Sequence, residues 1–136
     1  MGKGRIFKVS EFNRFHNVSN PYQGDAKKVL CVCSAGLLRS PTLAHLLSGD
    51  PWNYNTRAVG TDVGHALIPV ELIHLVWADL IICMNGEQER YIKEMKKSSK
   101  WEVRAKITCI NVPDAFGYRE PALIDLLKER IKEHKI

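Results

Sequence analysis

The chain has 136 residues, 45% of them hydrophobic and 26% charged, which is an ordinary balance for a folded globular protein. That length suits one domain and excludes two, and it allows a core large enough to need neither a metal nor a disulfide. Lysine and arginine together number 20 and acidic residues 15, so the formal charge is +5. This charge excludes an acidic disordered chain and permits anionic partners, but it selects none of them.

The cysteine pattern and the amino-terminal sequence indicate the cellular compartment in which the protein is expected. Four cysteines are present: Cys31, Cys33, Cys83 and Cys109. They are too few and too scattered for a disulfide scaffold, and without a C-x-x-C pair they do not indicate structural zinc. The amino terminus has no apolar signal-peptide core, and charged residues interrupt the most apolar stretch, residues 66–84. We therefore expect a reduced, cytoplasmic protein with no membrane span, no metal and no cofactor.

Two regimes follow one another along the chain. Residues 1–27 are polar and irregular and are predicted to form an N-terminal extension, whereas the regular pattern of residues 28–136 marks the folded domain. In chain order the predicted elements are a strand over 28–33, a helix over 40–48, a strand over 54–59, a helix from Pro69, a strand over 79–84, a helix over 87–97, a strand over 106–111 and a helix from Pro121.

These predicted elements rest on the spacing of apolar residues and on the positions of proline. Residues 28–33 form a short apolar run rich in β-formers, as in a buried strand. Proline is favoured at the first helical position, which sets the expected helix starts. The second helix is expected to bury Val70, Ile73 and Trp77, which recur at helical spacing. Strand and helix alternate four times, which predicts an α/β fold with a parallel sheet covered by helices on both faces.

The most informative segment joins the first strand to the first helix and reads Cys33-Ser34-Ala35-Gly36-Leu37-Leu38-Arg39-Ser40-Pro41. In an open α/β sheet, ligands bind outside the carboxyl ends of the strands, which is where this segment lies. The five residues between Cys33 and Arg39 can fold as a ring of backbone N–H groups, with Gly36 supplying the positive φ that such a ring needs. The first helix directs its N-terminus into the ring, so amides and helix dipole together form an anion site.

Three side chains of this segment suit phosphate chemistry. Thiols at helix N-termini or beside arginine are acidified, so we expect Cys33 to be a thiolate beneath a bound dianion. Arg39 offers a planar fork to two phosphate oxygens, and Ser40 can donate a hydrogen bond to the sulfur. A Cys-x5-Arg spacing alone more often marks a buried strand end followed by a solvated arginine. The preceding strand, the following helix and Ser40-Pro41 favour the phosphate-binding interpretation.

A phosphoryl transfer to cysteine needs an acid for the leaving oxygen. Asp114 follows the fourth predicted strand and is therefore expected at the same carboxyl edge of the sheet as Cys33. The residues alone leave it equally open to be an ordinary turn aspartate. Weaker candidates are Asp62, Asp79, which leads into a strand at the opposite edge, and Asp125, which lies inside a helix.

Several strings of the sequence resemble one enzyme family. The start of the domain, Val29–Cys33 and Arg39–Thr42, resembles the start of low-molecular-weight protein tyrosine phosphatases. A compact branch of predicted bacterial and phage tyrosine phosphatases is more similar still, over about residues 28–131. The strings that resemble this branch are Arg57-Ala58-Val59-Gly60-Thr61, Trp77-Ala78-Asp79-Leu80-Ile81, and Val112-Pro113-Asp114-Ala115-Phe116-Gly117-Tyr118 followed by Pro121-Ala122-Leu123 and Leu126-Leu127.

The resemblance implies a fold, an activity and a set of partners. The implied fold has three layers, with a four-stranded parallel sheet in the order 2-1-3-4 between helices. Cys33 is implied as the nucleophile, Arg39 as the phosphate clamp, and Asp114 as general acid and then base. The implied reaction hydrolyses phosphotyrosine or another aryl phosphate monoester through a phosphocysteine intermediate. The expected partners are a phosphotyrosine-containing protein or a small aryl phosphate, with phosphate- or sulfate-type oxyanions in the loop.

The substrate contacts that we expect comprise the loop and two aromatic residues. Phe116 and Trp52 are candidates to wall a slot for the phosphotyrosine ring, although Trp52 is equally well explained as a partly buried packing residue. The phosphate is expected to contact Ser34, Ala35, Gly36, Leu37, Leu38 and Ser40.

The sequence departs from the family pattern in the loop. Gly36 stands where the larger family usually has asparagine, and glycine can still supply the backbone angle. Leu38 stands where a second loop cysteine is common, so a protective disulfide inside the loop is not expected. The three cysteines other than Cys33 are interpreted as packing residues of buried strands.

Other functions fit the pattern less well. An arsenate reductase shares the fold but needs closely spaced relay cysteines, whereas Cys83 and Cys109 are far apart in the sequence. A non-catalytic phosphate-binding module stays open if the acid is misplaced. The run Lys93, Lys96, Lys97 and Lys100 is interpreted as a solvated face rather than a nucleic-acid surface, because few aromatic residues lie beside it.

Overall fold

The computed structural model describes residues 26–35, 39–117 and 119–136. Within these residues the chain forms four strands and four helices that alternate along the sequence. In chain order they are β1 (Lys28–Cys33), α1 (Arg39–Ser48), β2 (Asn55–Gly60), α2 (Leu72–Trp77), β3 (Leu80–Cys83), α3 (Gly86–Lys97), β4 (Lys106–Cys109) and α4 (Pro121–Glu133).

The four strands form one parallel sheet in the order β2-β1-β3-β4, which confirms the predicted fold class. The central strand β1 pairs Cys33 with Gly60 of β2 and Val32 with Cys83 of β3. Because all four strands run in the same direction, their carboxyl ends meet at one edge of the sheet, here called the carboxyl edge. The chain segments that leave β1, β2, β3 and β4 therefore share that edge.

Two hydrophobic clusters lie on opposite faces of the sheet. On one face, α1 and α4 cover a cluster that includes Cys31 and Leu127. On the other face, α2 and α3 cover a cluster that includes Leu75, Cys83 and Ile92. Successive residues of a strand point to opposite faces, so β1 contributes to both clusters in turn. This is why the strand is apolar at nearly every position rather than at every second one.

The second helix begins later than its proline predicts. The N–H of Gly60 donates to the carbonyl of Ile68 at 3.0 Å, and the N–H of Val70 donates to the carbonyl of Gly60 at 2.9 Å. These bonds pair Pro69 with the end of β2 as an isolated parallel bridge. The chain stays extended through this bridge, so the helix starts only at Leu72.

The buried face of this helix also differs from the prediction. Ile73 is 55% exposed, although the expected periodicity placed it in the core with Val70 and Trp77. Val70 is indeed buried, but from the extended bridge rather than from a helix. The fully buried side chains of α2 are those of His74 and Leu75. A start shifted by three residues rotates the helix face that meets the sheet, since each residue turns the helix by about 100°.

Cys109 corrects a second expectation. It lies in β4 at the edge of the sheet and is partly exposed, not buried as predicted. An edge strand has a neighbour on one side only, which explains the exposure. Its register partner in β3 is Cys83, which is fully buried. Two cysteines that are far apart in the sequence are thus direct neighbours in the sheet.

The amino-terminal boundary of the described chain lies close to β1. The N–H of Lys28 donates to the carboxylate of Asp79 at 2.9 Å and ties the amino end of β1 to that of β3. The predicted extension, residues 1–27, lies almost wholly outside the described residues, so the division of the chain at residue 28 stays a prediction. No helix in the described part of the chain is long and apolar enough to cross a membrane.

Candidate active site

The thiol of Cys33 lies at the carboxyl edge, beside the first turn of α1. Cys33 ends β1 and is 2% exposed, and its Sγ is 3.0 Å from the Oγ of Ser40. The same hydroxyl lies 3.4 Å from the carbonyl oxygen of Val59, to which it can donate. Strand end and helix start therefore bring a thiol and a hydroxyl into contact at the positive end of a helix dipole.

The guanidinium of Arg39 is held inward by the segment that follows β4. Arg39 is 3% exposed, and its Nη1 donates to the carbonyl of Val112 at 2.9 Å. Its Nε lies 3.6 Å from Oδ1 of Asp114, whose side chain is 67% exposed. An ion pair with so exposed a carboxylate contributes little to stability, since water screens it. The ion pair matters for position rather than for stability, because it holds the carboxyl group of Asp114 at the same edge as Cys33.

The segment that carries Asp114 is fixed at both ends. The N–H of Val112 donates to the carbonyl of Met84 at 2.7 Å, next to β3. Beyond the aspartate, the N–H of Arg119 donates to the hydroxyl of Thr42 in α1 at 2.9 Å. Nη2 of the same arginine lies 2.8 Å from Nδ1 of His45. Sheet and helix thus set the position of Asp114 from opposite sides.

The first residues after Cys33 are held by the loop that follows β2. The N–H of Thr61 donates to the carbonyl of Cys33 at 3.0 Å, and that of Asp62 donates to the carbonyl of Ser34 at 2.8 Å. A Cβ at Gly60 would lie 2.5 Å from the Ser34 oxygen and 2.7 Å from the carbonyl carbon of Ala35. Real Cβ atoms do not approach so closely, so the glycine is what lets the two loops touch.

A buried amide supports the loop from the other side. Gln88 lies in the first turn of α3 and is 1% exposed. Its Nε2 donates to the hydroxyl of Ser34 at 3.1 Å, and its Oε1 accepts from the N–H groups of Met84 and Asn85 at 2.9 and 3.1 Å. In return, the Asn85 side chain accepts from the Gln88 N–H, which completes a capping box. Ser34 is therefore held by side chain and backbone at once.

Not every residue predicted for the site is brought to it. Gly36, Leu37 and Leu38 lie outside the described residues. Phe116 follows Asp114 by two positions and is half-buried against the core cluster beneath α1 and α4. Trp52 lies between the end of α1 and the start of β2, at the amino edge of the sheet, and it packs on the same cluster. The structure does not bring Trp52 to the edge where Cys33 lies.

Sequence reasoning missed two residues that shape the site. Gln88 carried a signal, because the pattern Asn85-x-x-Gln88 after a buried strand is typical of a capping box at a helix start. Gly60 ends β2 at the carboxyl edge, where a glycine often marks a close approach of another backbone. Gly60 approaches the backbone of Ser34 and Ala35, and this contact could not be predicted without the fold.

Cys31 lies two residues before Cys33 on the same strand and is fully buried. Burial is the largest factor that raises the pKa of the Cys31 thiol far above its usual range, and the nearby Cys33 and Cys83 raise it further. Cys31 is thus a packing thiol that stays protonated. Among residues 26–35, 39–117 and 119–136, no three histidine, cysteine or acidic side chains are grouped so that they could hold a metal ion.

The arrangement as a whole suits the binding of a tetrahedral oxyanion. A helix N-terminus and a guanidinium supply positive charge, a thiol contacts the first turn of that helix, and an exposed carboxyl group lies 3.6 Å from the guanidinium. These are the groups required for transfer of a phosphoryl group to sulfur with proton transfer to the leaving oxygen.

Comparison with known proteins supports the fold. No family model and no curated protein sequence matches the chain. The crystal structure of the tyrosine phosphatase AmsI from Erwinia amylovora matches with a TM-score of 0.61 at 17% identity, over 85% of this chain and 95% of that one. The crystal structure of a YwlE mutant from Bacillus subtilis matches with a TM-score of 0.57 at 18% identity, over 82% and 100%. The chain therefore shares its fold with these two structures, one of which is a tyrosine phosphatase.

Proposed function

We propose that the chain is a cysteine-dependent phosphatase that hydrolyses aryl phosphate monoesters, phosphotyrosine among them, through a phosphocysteine intermediate. One observation carries the proposal. The thiol of Cys33 and the guanidinium of Arg39 come from one short segment, and the carboxyl group of Asp114, from a distant part of the sequence, joins them at the N-terminus of α1. A fold shared with a tyrosine phosphatase supports the same conclusion.

The proposed first step transfers the phosphoryl group to sulfur. The substrate dianion binds against the loop amides and the Arg39 fork, with its phosphorus facing the sulfur of Cys33. The sulfur attacks phosphorus, the P–O bond to the aryl oxygen breaks, and Asp114 gives that oxygen its proton. The hydroxyl of Ser40, 3.0 Å from the sulfur, stabilises the thiolate before attack and after its release.

The proposed second step returns the enzyme to its starting state. Asp114, now a carboxylate, takes a proton from a water molecule, whose oxygen attacks the phosphorus of the phosphocysteine. The S–P bond breaks, inorganic phosphate leaves, and Cys33 is again a thiolate. Because 67% of the Asp114 side chain is exposed, water can reach it without a conformational change.

The proposed contacts follow the geometry of the site. The backbone of residues 34–38 is proposed to bind the phosphate oxygens, and for residues 36–38 this proposal rests on the sequence pattern alone. Phe116 is the aromatic residue proposed beside the substrate ring, since it shares a short segment with Asp114. We leave Trp52 out of the ring slot, because it lies at the amino edge of the sheet.

The alternatives receive less support. A reductase relay would pass a disulfide from Cys33 to another cysteine, but Cys33 and Cys83 lie in clusters on opposite faces of the sheet. A module that only binds phosphate would have no use for a carboxylate beside its arginine, since a negative charge weakens anion binding. The closeness of Asp114 to Arg39 therefore favours an enzyme.

The direct test is hydrolysis of p-nitrophenyl phosphate by the purified protein with EDTA present. We expect turnover in EDTA, because the proposed positive charge comes from amides and Arg39. Cys33→Ser should abolish turnover, whereas Cys109→Ser, at the partly exposed edge strand, should leave it unchanged. Turnover that survives Cys33→Ser would refute the assignment of the nucleophile. Comparison of phosphotyrosine with phosphoserine peptides then tests the aryl preference.

A further inference from the structure

A basic groove lies on the side of the sheet away from Cys33. It has a volume of about 490 Å³ and runs between the last turns of α3 and the start of β4. Because α3 runs back from the carboxyl edge, its end and the start of β4 both lie near the opposite edge. We call it the lysine groove; it is lined by Lys93, Lys96, Lys97, Ala105, Lys106 and Ile107.

The charge of this groove is nearly uncompensated. Lys93 pairs with Glu89 at 3.5 Å, in the next turn of the same helix. Within the described part of the chain, Lys96, Lys97 and Lys106 have no carboxylate within ion-pair distance. Lysines in the last turn of a helix are expected from the helix dipole. Lys106, on the neighbouring strand, also borders the groove.

The groove borders an edge of the sheet whose outward backbone groups have no partner strand among the described residues. β4 is the last strand of the described sheet. The N–H of Lys106 donates to the carbonyl of Asp79, and that of Ile110 donates to the carbonyl of Cys83, both toward β3. In a parallel strand, alternate residues direct their N–H and C=O groups to the same side. Lys106 and Ile110 bond toward β3, so Ile107 directs its N–H and C=O groups away from β3. Such an edge can accept another extended segment.

We propose that the lysine groove docks an extended acidic peptide segment of a partner protein, laid beside β4. Backbone bonds to the strand edge would hold the segment, and its carboxylates would reach Lys96 and Lys97. The apolar floor of Ala105 and Ile107 suits the alternate side chains of an extended peptide better than a sugar-phosphate backbone. This floor favours a peptide over a nucleic acid.

The chain's own amino-terminal residues do not carry the acidic charge that the groove would attract. Residues 1–25, which lie outside the described residues, are themselves basic, so like charges would meet. Their charged side chains are Lys3, Lys8, Arg5 and Arg14 against Glu11 and Asp25. Charge complementarity therefore points to another protein.

The test measures binding of a fluorescein-labelled octapeptide of alternating glutamate and valine by anisotropy. We expect saturable binding that weakens about tenfold in the double variant Lys96→Glu/Lys97→Glu, since each reversal turns an attraction into a repulsion. The matched control is Lys128→Glu/Lys132→Glu on α4, which changes the net charge equally at two exposed positions and should bind as the parent does. Circular dichroism checks that both variants fold.

Two further probes separate the strand edge from general charge attraction. Two versions of the peptide carry N-methyl groups at its odd or at its even positions, so that each blocks the N–H groups on one side of the backbone. Only the version that blocks the N–H groups facing β4 should lose binding. The proposal is overturned if binding is not saturable, if both double variants lose affinity equally, or if neither methylated peptide is weakened. It is also overturned if a single-stranded oligonucleotide of equal charge binds as tightly. Binding should persist in Cys33→Ser, so its outcome is independent of the proposed phosphatase activity.

Discussion

The side-chain amide of Gln88 donates a hydrogen bond of 3.1 Å to the hydroxyl of Ser34, the residue that follows Cys33. The other end of the same amide accepts two backbone N–H groups at the corner between β3 and α3. One buried side chain therefore ties the start of the candidate phosphate loop to a second strand of the sheet. The loop is thus held from β3 as well as from the strand that it leaves.

Gln88→Ala should destabilise the protein by about 1–3 kcal/mol, because it leaves two backbone donors without their acceptor. Denaturant unfolding measures this loss. Gln88→Glu keeps an acceptor for both donors but places a negative charge beside the proposed anion site, so we expect a raised KM for p-nitrophenyl phosphate. An unchanged unfolding midpoint in the alanine variant would show that Gln88 is not an anchor.

Gly60→Ala should reduce activity severely, because the new Cβ would lie 2.5 Å from the Ser34 carbonyl oxygen and displace the loop. The matched control is Gly86→Ala, where a Cβ would have no neighbour within 4 Å. We expect the control to keep its activity and its stability, since alanine is the better helix former. Equal activity in the two variants would contradict the close approach of the two loops.

Asp114→Asn should lower kcat by about 10²–10⁴ while phosphate or vanadate binding is retained, as for loss of a general acid. Steady-state kinetics and inhibitor titration measure the two effects separately. Asp125→Asn, at an exposed position of α4, is the control and should have parental kinetics. A full rate in Asp114→Asn would assign the acid to another residue.

Arg39→Ala should abolish measurable turnover, and Arg39→Lys should not restore it. The guanidinium has one nitrogen bonded to the Val112 carbonyl and still presents others, whereas an ammonium group cannot make both sets of contacts. Kinetics with p-nitrophenyl phosphate test this directly. Substantial recovery in Arg39→Lys would mean that charge alone, and not the planar fork, is what the site requires.

The contact between Arg119 and His45 should make stability fall in acid. An arginine nitrogen can only donate, so Nδ1 of His45 accepts and the imidazole is neutral. Partial burial, followed by the charge of Arg119, lowers the pKa of His45 below its usual 6.5. A histidine with a lowered folded-state pKa contributes its stability fully above 6.5 and loses it as pH falls below that value.

Urea unfolding between about pH 8 and pH 5 measures this dependence, the range over which histidine titrates. His45→Gln should show a shallower loss of stability in acid than the parent protein. His134→Gln, at the end of α4, is the control and should follow the parent curve. A parental slope in His45→Gln would mean that other groups carry the acid sensitivity.

The parts of the fold that were predictable are those with strong local signals. β1 is an unbroken apolar run, so its bounds were predicted to the residue. The alternation of strands and helices predicted a parallel sheet, and family resemblance predicted its order. Cys33 ends a predictable strand, Arg39 precedes a predictable helix, and Asp114 follows another predictable strand. All three could therefore be expected at one edge of the sheet.

The parts that were not predictable depend on contacts between distant segments. The bridge between Gly60 and Pro69 keeps the chain extended where proline and periodicity favoured a helix. The pairing of Cys83 with Cys109 follows from strand register, which sequence separation conceals. Trp52 was a reasonable aromatic candidate by residue type, but the direction of α1 carries it to the far edge of the sheet.

Cys31 and Cys83 are completely buried, one on each face of the same sheet. Each thiol can therefore react with an alkylating reagent only when its own helical layer separates from the strands. Their labelling rates would time the opening of the α1–α4 layer and of the α2–α3 layer independently, without any introduced probe. Equal rates would mean that the two layers separate in a single cooperative event, and unequal rates would identify the layer that opens first.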